Sequence, residues 1–347
     1  MTTRQQPNTV LVTGANGYIG HAIALAFVRA GYKTYGLIRN PSFLPILASE
    51  EIIPLLGTPS SPDFLTSLQK NNVVFDVLVS TTEQIFDYFP HYNEVVSLLR
   101  ALAKLTLEKK GRKPLLLFTS GCKDYGISPY LANSSELVPH TEDSPLNPPS
   151  LLADRAKGTK KIFENEDVFD VVVLRPTNVY GGSSSYYGLF FVAAEEAREK
   201  GVWEVEEEPE TVLHAMHVDD CGEAYVALAE CADRKSVSGQ CFNISAGAYE
   251  TLDDILGALV CEYGIQGGVK YVKEEDGRKG PGEDRDRMLM GFSQWVGSEK
   301  LRKQTGWVDR RLLFTEGVHQ YRIAFEEARK KGLSVLQGVA KSPKGDV

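Results

Sequence analysis

VLVTGANGYIG, residues Val10 to Gly20, runs into an apolar, helix-compatible stretch from His21 to Ala30 that closes at Gly31. Thr9 to Val12 is β-branched and apolar before the turn, so the local reading is strand, glycine turn, helix. The glycines, Gly14, Gly17 and Gly20, are spaced three and three, and each has a separate physical task. Gly14 permits the tight turn, Gly17 lets phosphate oxygens approach the backbone N–H groups of the helix start, and Gly20 lets the helix lie close to the strand. Asn16, Tyr18 and Ile19 complete the turn, which reads as a pyrophosphate site at a helix N-terminus. With Thr13 the spacing is TGxxGxxG, a variant of the GxGxxG loop; the competing reading is an ordinary strand-to-helix turn.

The end of the second strand, Thr34 to Ile38, decides between two forms of a dinucleotide. An acidic residue there would accept hydrogen bonds from the adenosine ribose and repel a 2′-phosphate. No acidic residue occurs between Gly20 and Glu50, and Arg39 and Asn40 stand at the expected place. A guanidinium suits a phosphate through paired, charge-assisted hydrogen bonds, so NADP(H) is favoured over NAD(H). Arg39 as a merely solvated strand-end residue is the alternative.

At 347 residues the chain can bury a large core. A net charge of -8 argues against nucleic acid as the main partner. The polar first nine residues carry no export signal, and no apolar run approaches bilayer length, so the expectation is a cytoplasmic protein without a membrane partner. Five cysteines, Cys122, Cys221, Cys231, Cys241 and Cys261, form no CxxC pair and read as reduced thiols, with no metal site.

Strand-like runs recur at Val10 to Thr13, Thr34 to Ile38, Ile52 to Leu56, Val73 to Val79, Leu115 to Thr119 and Val171 to Leu174. Helix-compatible stretches lie between most of them, including Asp63 to Gln69 and Tyr92 to Glu108. That alternation predicts an α/β fold, a doubly wound parallel Rossmann sheet, with a smaller C-terminal α/β substrate domain. The division reads as residues 1–180 for the dinucleotide domain, with 214–246 returning to it, 181–213 and 247–336 for the substrate region, and 337–347 as a flexible tail. Met216 to Ala229 reads as a strand and helix returning to the sheet, Cys241 to Ser245 as a strand and Leu252 to Tyr263 as a helix. Acidic Trp203 to Glu210 reads as an exposed edge strand or loop, and Lys273 to Arg287 as a long loop.

TGANGYIG from Thr13, FTSGCKDYG from Phe118, LRPTNVYGG from Leu174, HVDDCGEAY from His217, FNISAG from Phe242 and SEKLRKQTGW from Ser298 occur in one order. Over about Val10 to Trp307 the chain resembles the extended or atypical short-chain dehydrogenase/reductases of the NAD-dependent epimerase/dehydratase type. The resemblance implies a coenzyme along the carboxyl edge of the sheet, with Ser80, Thr81 and Thr82 under its phosphates and ribose. It implies that Pro176, Thr177, Asn178 and Val179 flank the nicotinamide, and that a homodimer forms through two helices packed as a bundle. Without the family, Ser80 to Thr82 read equally well as strand-end hydroxyls capping the next helix.

The same resemblance calls for a tyrosine in YxxxK and a serine or threonine that polarises the substrate oxygen. A phenol with an unperturbed pKa near ~10 needs a lysine and a cationic ring beside it to exchange protons near neutrality. The matching stretch is SLLADRAKGTKK, Ser150 to Lys161. Aligned on Lys157 the tyrosine position is Ala153, and aligned on Arg155 it is Leu151, so neither register supplies a phenol. Gly121 stands where the hydroxyl is usual, leaving Ser120 as the nearest substitute, with a backbone-bonded strand-end hydroxyl as its other reading. Tyr186, Tyr187, Tyr125, Cys122, His214 and His217 are further proton donors to weigh.

The expectation is therefore an NADP(H)-dependent oxidoreductase acting on a small or mid-sized carbonyl or hydroxyl compound, with Ser120, Tyr187 and Lys157 as the catalytic candidates. A non-redox epimerase, dehydratase, lyase or cyclase on the same fold is the first alternative, and an inactive NADP(H)-binding sensor the second.

Overall fold

The computed structural model describes residues 8–61, 63–272 and 285–333. β1 (Thr9–Thr13) carries Val10, Leu11 and Val12 fully buried, as a strand covered on both faces must be. The chain then alternates through α1 (Tyr18–Arg29), β2 (Lys33–Ile38), α2 (Leu44–Ser49), β3 (Ile53–Leu56), α3 (Phe64–Lys70), β4 (Val77–Ser80), α4 (Tyr88–Lys110), β5 (Leu115–Thr119), α5 (Ala153–Lys161) and β6 (Asp170–Pro176). Gly111, in the left-handed region at φ 65°, ends α4.

Among the described residues, seven strands form one parallel sheet in the order β11-β6-β5-β4-β1-β2-β3, where β11 is Gln240–Ile244. The order reverses between β1 and β4, which pair with Thr13 opposite Ser80. A crevice opens at the carboxyl ends of the strands at such a reversal, and it is where ligands of open parallel sheets sit. One sheet face is buried against α1 and a later helix through Val12, Ile23, Phe27 and Tyr225; the other is buried against α4 through Leu11, Leu78, Leu99 and Phe118. The expected doubly wound sheet is the one found.

After β6 come β7 (Asn178–Tyr180), α6 (Gly188–Lys200), β8 (Trp203–Val205), β9 (Val212–Leu213), β10 (Ala215–His217), α7 (Val218–Ala229) and α8 (Arg234–Val237). Beyond β11 lie β12 (Glu250–Thr251), α9 (Leu252–Tyr263), β13 (Val269–Tyr271), α10 (Arg285–Met290), α11 (Glu299–Thr305) and α12 (Val318–Lys330). α7 packs on α1, as the expected return to the sheet requires, but β10 does not enter the large sheet: it pairs with β7. Trp203 and Val205 of the acidic stretch are buried in β8, which pairs with β13.

α6, α9 and α12 enclose a second core of Tyr180, Tyr187, Phe190, Phe191, Phe314 and Phe325. Within the stretch expected to loop from Lys273 to Arg287, residues 285–287 open α10 and the rest lies outside the described residues, as does the tail 337–347. No described helix is long and apolar enough to cross a membrane, and the described residues hold no metal-ligand cluster.

Candidate active site

The turn between β1 and α1 is tied to the sheet by its own backbone. Gly14 and Ala15 N–H both donate to the Leu37 carbonyl, at 3.1 and 3.3 Å, and Gly17 N–H donates to the Gly14 carbonyl at 2.8 Å. Gly14 has φ 69°, the left-handed region that favours glycine. A Cβ on Gly20 would stand 2.3 Å from the Gly14 oxygen and 2.6 Å from Thr81 Oγ1, so the helix reaches the turn only without a side chain there. Thr81 completes the cradle, its Oγ1 donating to the Thr13 carbonyl at 2.5 Å.

A cleft of about 750 Å³ opens from this turn. Gly14, Asn16, Gly17, Thr81 and Thr82 form one end, and Arg39 with Thr58 and Ser60 the other. The first turn of α1 contains no acidic residue, and Thr82 Oγ1 is buried at the wall without a partner. A phosphate fits that arrangement, since it supplies acceptors to unpartnered donors at a helix N-terminus.

Four expected contact residues do not line either cleft. Tyr18 donates to the Gly181 carbonyl at 2.6 Å; Ser80 is buried at the end of β4; Gly20 is the packing point just described; and Asn40 Oδ1 accepts from Ser42 N–H, capping the short turn at Pro41–Phe43.

Glu83 and Ile85 line both this cleft and a second one of about 240 Å³. Pro176, Thr177, Asn178, Val179 and Ile19 form part of the second pocket, with Ser120, Lys123, Leu151, Arg155, Tyr186, His214, Met288 and Phe292. Of the two registers, Leu151 and Arg155 line the pocket, and Ala153 and Lys157 do not. Arg155 is buried and donates from Nε and Nη2 to Asp124 Oδ1, at 2.9 and 2.7 Å, with Glu83 at 3.6 Å. A Cβ on Gly121 would stand 3.4 Å from the Arg155 guanidinium nitrogens, in van der Waals contact. Leu151 puts an aliphatic side chain at the pocket, and Tyr186 lines it as well.

Two catalytic candidates are corrected. Lys157 is 68% exposed and pairs with Asp154 at 2.8 Å, on the solvent side of α5. Tyr187 is fully buried among Tyr180, Phe190 and Phe314, its hydroxyl unpartnered and its acidity suppressed by burial; its neighbour Tyr186 is the one facing the pocket. Ser120 is at the pocket, but its Oγ donates to Asp124 Oδ2 at 2.5 Å and so offers the cavity lone pairs.

The remaining candidates are also engaged. His214 accepts Val296 N–H at Nδ1, 3.2 Å, which leaves the proton on Nε2, and Nε2 donates to the Ala246 carbonyl at 3.0 Å. Burial lowers its pKa to about 4, so the ring is neutral at pH 7. Cys122 donates to the Arg175 carbonyl and burial raises its pKa; Tyr125 donates to Asn243 Oδ1 in the core. His217 caps α7, accepting Asp219 N–H.

One group that the sequence reading passed over is Lys123. Its Nζ donates to the Met288 carbonyl at 2.8 Å and lies 3.8 Å from the centroid of the Phe292 ring. Burial, and then the nearby Arg155 charge, lower its pKa to about 7. The burial comes from residues more than 160 positions away, a contact that no local pattern around Lys123 announces.

The model of the NAD dependent epimerase/dehydratase family matches residues 10–245. No curated protein matches the chain. Among solved structures, the dTDP-glucose 4,6-dehydratase of Bacillus anthracis in complex with NAD superposes with a TM-score of 0.69 at 18% identity, covering 94% of this chain and 99% of that one. UDP-glucuronic acid 4-epimerase of Bacillus cereus, with UDP-glucuronic acid and NAD, gives 0.67 at 17%, covering 92% and 99%. UDP-glucose 4-epimerase of Thermotoga maritima, with UDP-glucose, gives 0.65 at 18%, covering 92% and 99%. At these identities the structures speak to the fold, and the family match speaks to descent: the chain belongs to the NAD dependent epimerase/dehydratase family, a family of enzymes.

Proposed function

We propose that this chain binds NADP(H) in preference to NAD(H) and catalyses hydride exchange with a small or mid-sized carbonyl or hydroxyl compound. The observation that carries the reading is the pair of adjoining clefts, with a phosphate cradle and Arg39 in one and a pocket of mixed polar and apolar lining beside Pro176 to Val179 in the other. When bound, the coenzyme supplies a hydride donor or acceptor at its nicotinamide ring. Gly14, Asn16, Gly17, Thr81 and Thr82 would hold its phosphates and adjoining ribose, and Arg39 a 2′-phosphate. Ile19, Pro176, Thr177, Asn178 and Val179 would hold the nicotinamide end. Ser120 would accept a hydrogen bond from a substrate hydroxyl, and Leu151, Met288 and Phe292 would exclude water.

The 240 Å³ of the second pocket would be shared by the nicotinamide end and the substrate, which suits a compact substrate. A second reading is favoured by the family itself and by neighbours that are epimerases and dehydratases: transformation of a substrate with no net change in the coenzyme. Assay of the purified chain with NADPH against carbonyl compounds, and with NADP⁺ against alcohols, tests the first reading. Continuous change in the reduced coenzyme's near-ultraviolet absorbance is the expected result. Product without net coenzyme change supports the second, and coenzyme binding with no product under either regime leaves a sensor.

A further inference from the structure

We propose that Lys123 is the proton-exchanging residue of this pocket, passing an ammonium proton to the substrate's carbonyl oxygen during reduction and accepting the hydroxyl proton on its neutral amine during oxidation. The inference rests on the reading of the pocket as a hydride-exchange site. In the reducing direction a carbonyl carbon would gain the hydride that NADPH gives up on becoming NADP⁺, while its oxygen gains the Lys123 proton, giving an alcohol; the amine is then reprotonated by a solvent H⁺, so that carbonyl, NADPH and H⁺ become alcohol and NADP⁺. The oxidising direction is the reverse, and atoms and charge balance in both.

Position comes first. Lys123 lies in the turn after β5 and lines the same cavity as Ser120, Leu151 and Thr177. Of the three N–H donors of an ammonium, one is taken by the Met288 carbonyl at 2.8 Å, leaving two. Among the described residues Nζ makes no ion pair, its polar contact being the Met288 carbonyl.

The other groups facing the pocket have other engagements. Arg155 is held by Asp124 and approached by Glu83, and a guanidinium does not give up its proton. Ser120 donates to Asp124, His214 is neutral with both nitrogens bonded, and Cys122 donates to a buried carbonyl. Tyr186 is 41% exposed at the rim. Lys123 alone among these titrates near neutrality, at about 7, because burial and the Arg155 charge both disfavour its ammonium form. A general acid or base is most effective with a pKa near the working pH.

The test has two readouts. Competitive acetylation of the wild-type chain without coenzyme, followed by peptide mass spectrometry across pH 5–11, measures the titration of each lysine. The expected midpoint for Lys123 is near 7, and a midpoint near that of the exposed Lys157 overturns the proposal. Separately, Lys123→Met and Lys123→Arg are compared with wild type for NADPH affinity by fluorescence and for kcat across pH with a carbonyl substrate turned over by the wild type. Lys123→Met is expected to lose about 100-fold in kcat with NADPH affinity within about threefold, while Lys123→Arg moves the pH limb without restoring the rate. Undiminished kcat in a Lys123→Met variant that binds NADPH overturns the proposal and leaves the hydride reading intact. Failure of the wild type to bind either coenzyme removes the hydride reading itself, and is told apart by that measurement. Should Lys123→Met fail to fold, the acetylation midpoint and Lys123→Arg decide.

Discussion

Arg155 and Asp124 form a buried, two-pronged ion pair, Nε and Nη2 of the arginine donating to one carboxylate oxygen at 2.9 and 2.7 Å. The pair joins the turn after β5 to α5, so the Arg155 guanidinium at the pocket is held by the same turn that carries Lys123. Asp124 is fully buried, its second oxygen accepts from Ser120 and lies 3.8 Å from Arg175 Nε. Removing this carboxylate strands two guanidinium groups. Asp124→Ala is expected to cost about 3–5 kcal/mol, because a buried charge left without its partner keeps its full desolvation cost. Urea unfolding checks this, and a loss under about 1 kcal/mol would contradict the network.

The glycine turn gives a contrast within one protein. Gly20→Ala drives a Cβ into the Gly14 carbonyl and is expected to cost about 1–3 kcal/mol and to weaken NADPH binding. Gly257, inside α9, has open space where its Cβ would stand. Gly257→Ala is expected to be neutral or to stabilise by up to about 1 kcal/mol, as helix propensity dictates. Thermal unfolding of both variants, with NADPH titration of the first, provides the comparison.

His214 makes a pH prediction. Its folded pKa, about 4, lies below the ordinary 6.5, so the folded state binds the proton less readily than the unfolded chain does. The resulting stability is fully present above pH 6.5 and is lost as pH falls toward 4, amounting to roughly 3 kcal/mol at most. Asp76 and Asp309, whose pKa values are lowered by their lysine, arginine and backbone partners, also lose stability in acid. The histidine share is therefore read from the difference between wild type and His214→Gln, whose urea-unfolding profile should be flatter between pH 6.5 and 4. Parallel profiles would show that His214 is not buried neutral.

Much of the fold was legible because its signals are local. Apolar runs and the spacing of Gly14, Gly17 and Gly20 mark β1, its turn and α1, and Leu252 to Tyr263 was bounded correctly by Thr251 and Gly264, a capping box and a left-handed end. The substrate side was less legible because its elements are short and depend on distant partners: β10 pairs with β7, and α6 lies inside what read as an irregular excursion. Adjacent Tyr186 and Tyr187 show the same limit, since only packing against Phe314 decides which one turns inward. The choice between Arg155 and Lys157 depends on Asp124, 31 residues from the arginine, and the burial of Lys123 depends on Met288 and Phe292.

Coenzyme choice is expected to follow Arg39, which lines the far end of the larger cleft. Arg39→Asp should weaken NADPH about 10- to 100-fold, the worth of charge-assisted hydrogen bonds to a phosphate, while NADH binds no more weakly than before. Fluorescence titration with both coenzymes measures the ratio, and an unchanged ratio would remove Arg39 from the 2′-phosphate.

Calorimetric titration of the wild-type chain with NADPH and with NADH addresses the cradle most directly. One saturable site per chain, tighter for NADPH than for NADH, is the predicted result. Heats indistinguishable from dilution for both coenzymes would contradict the account.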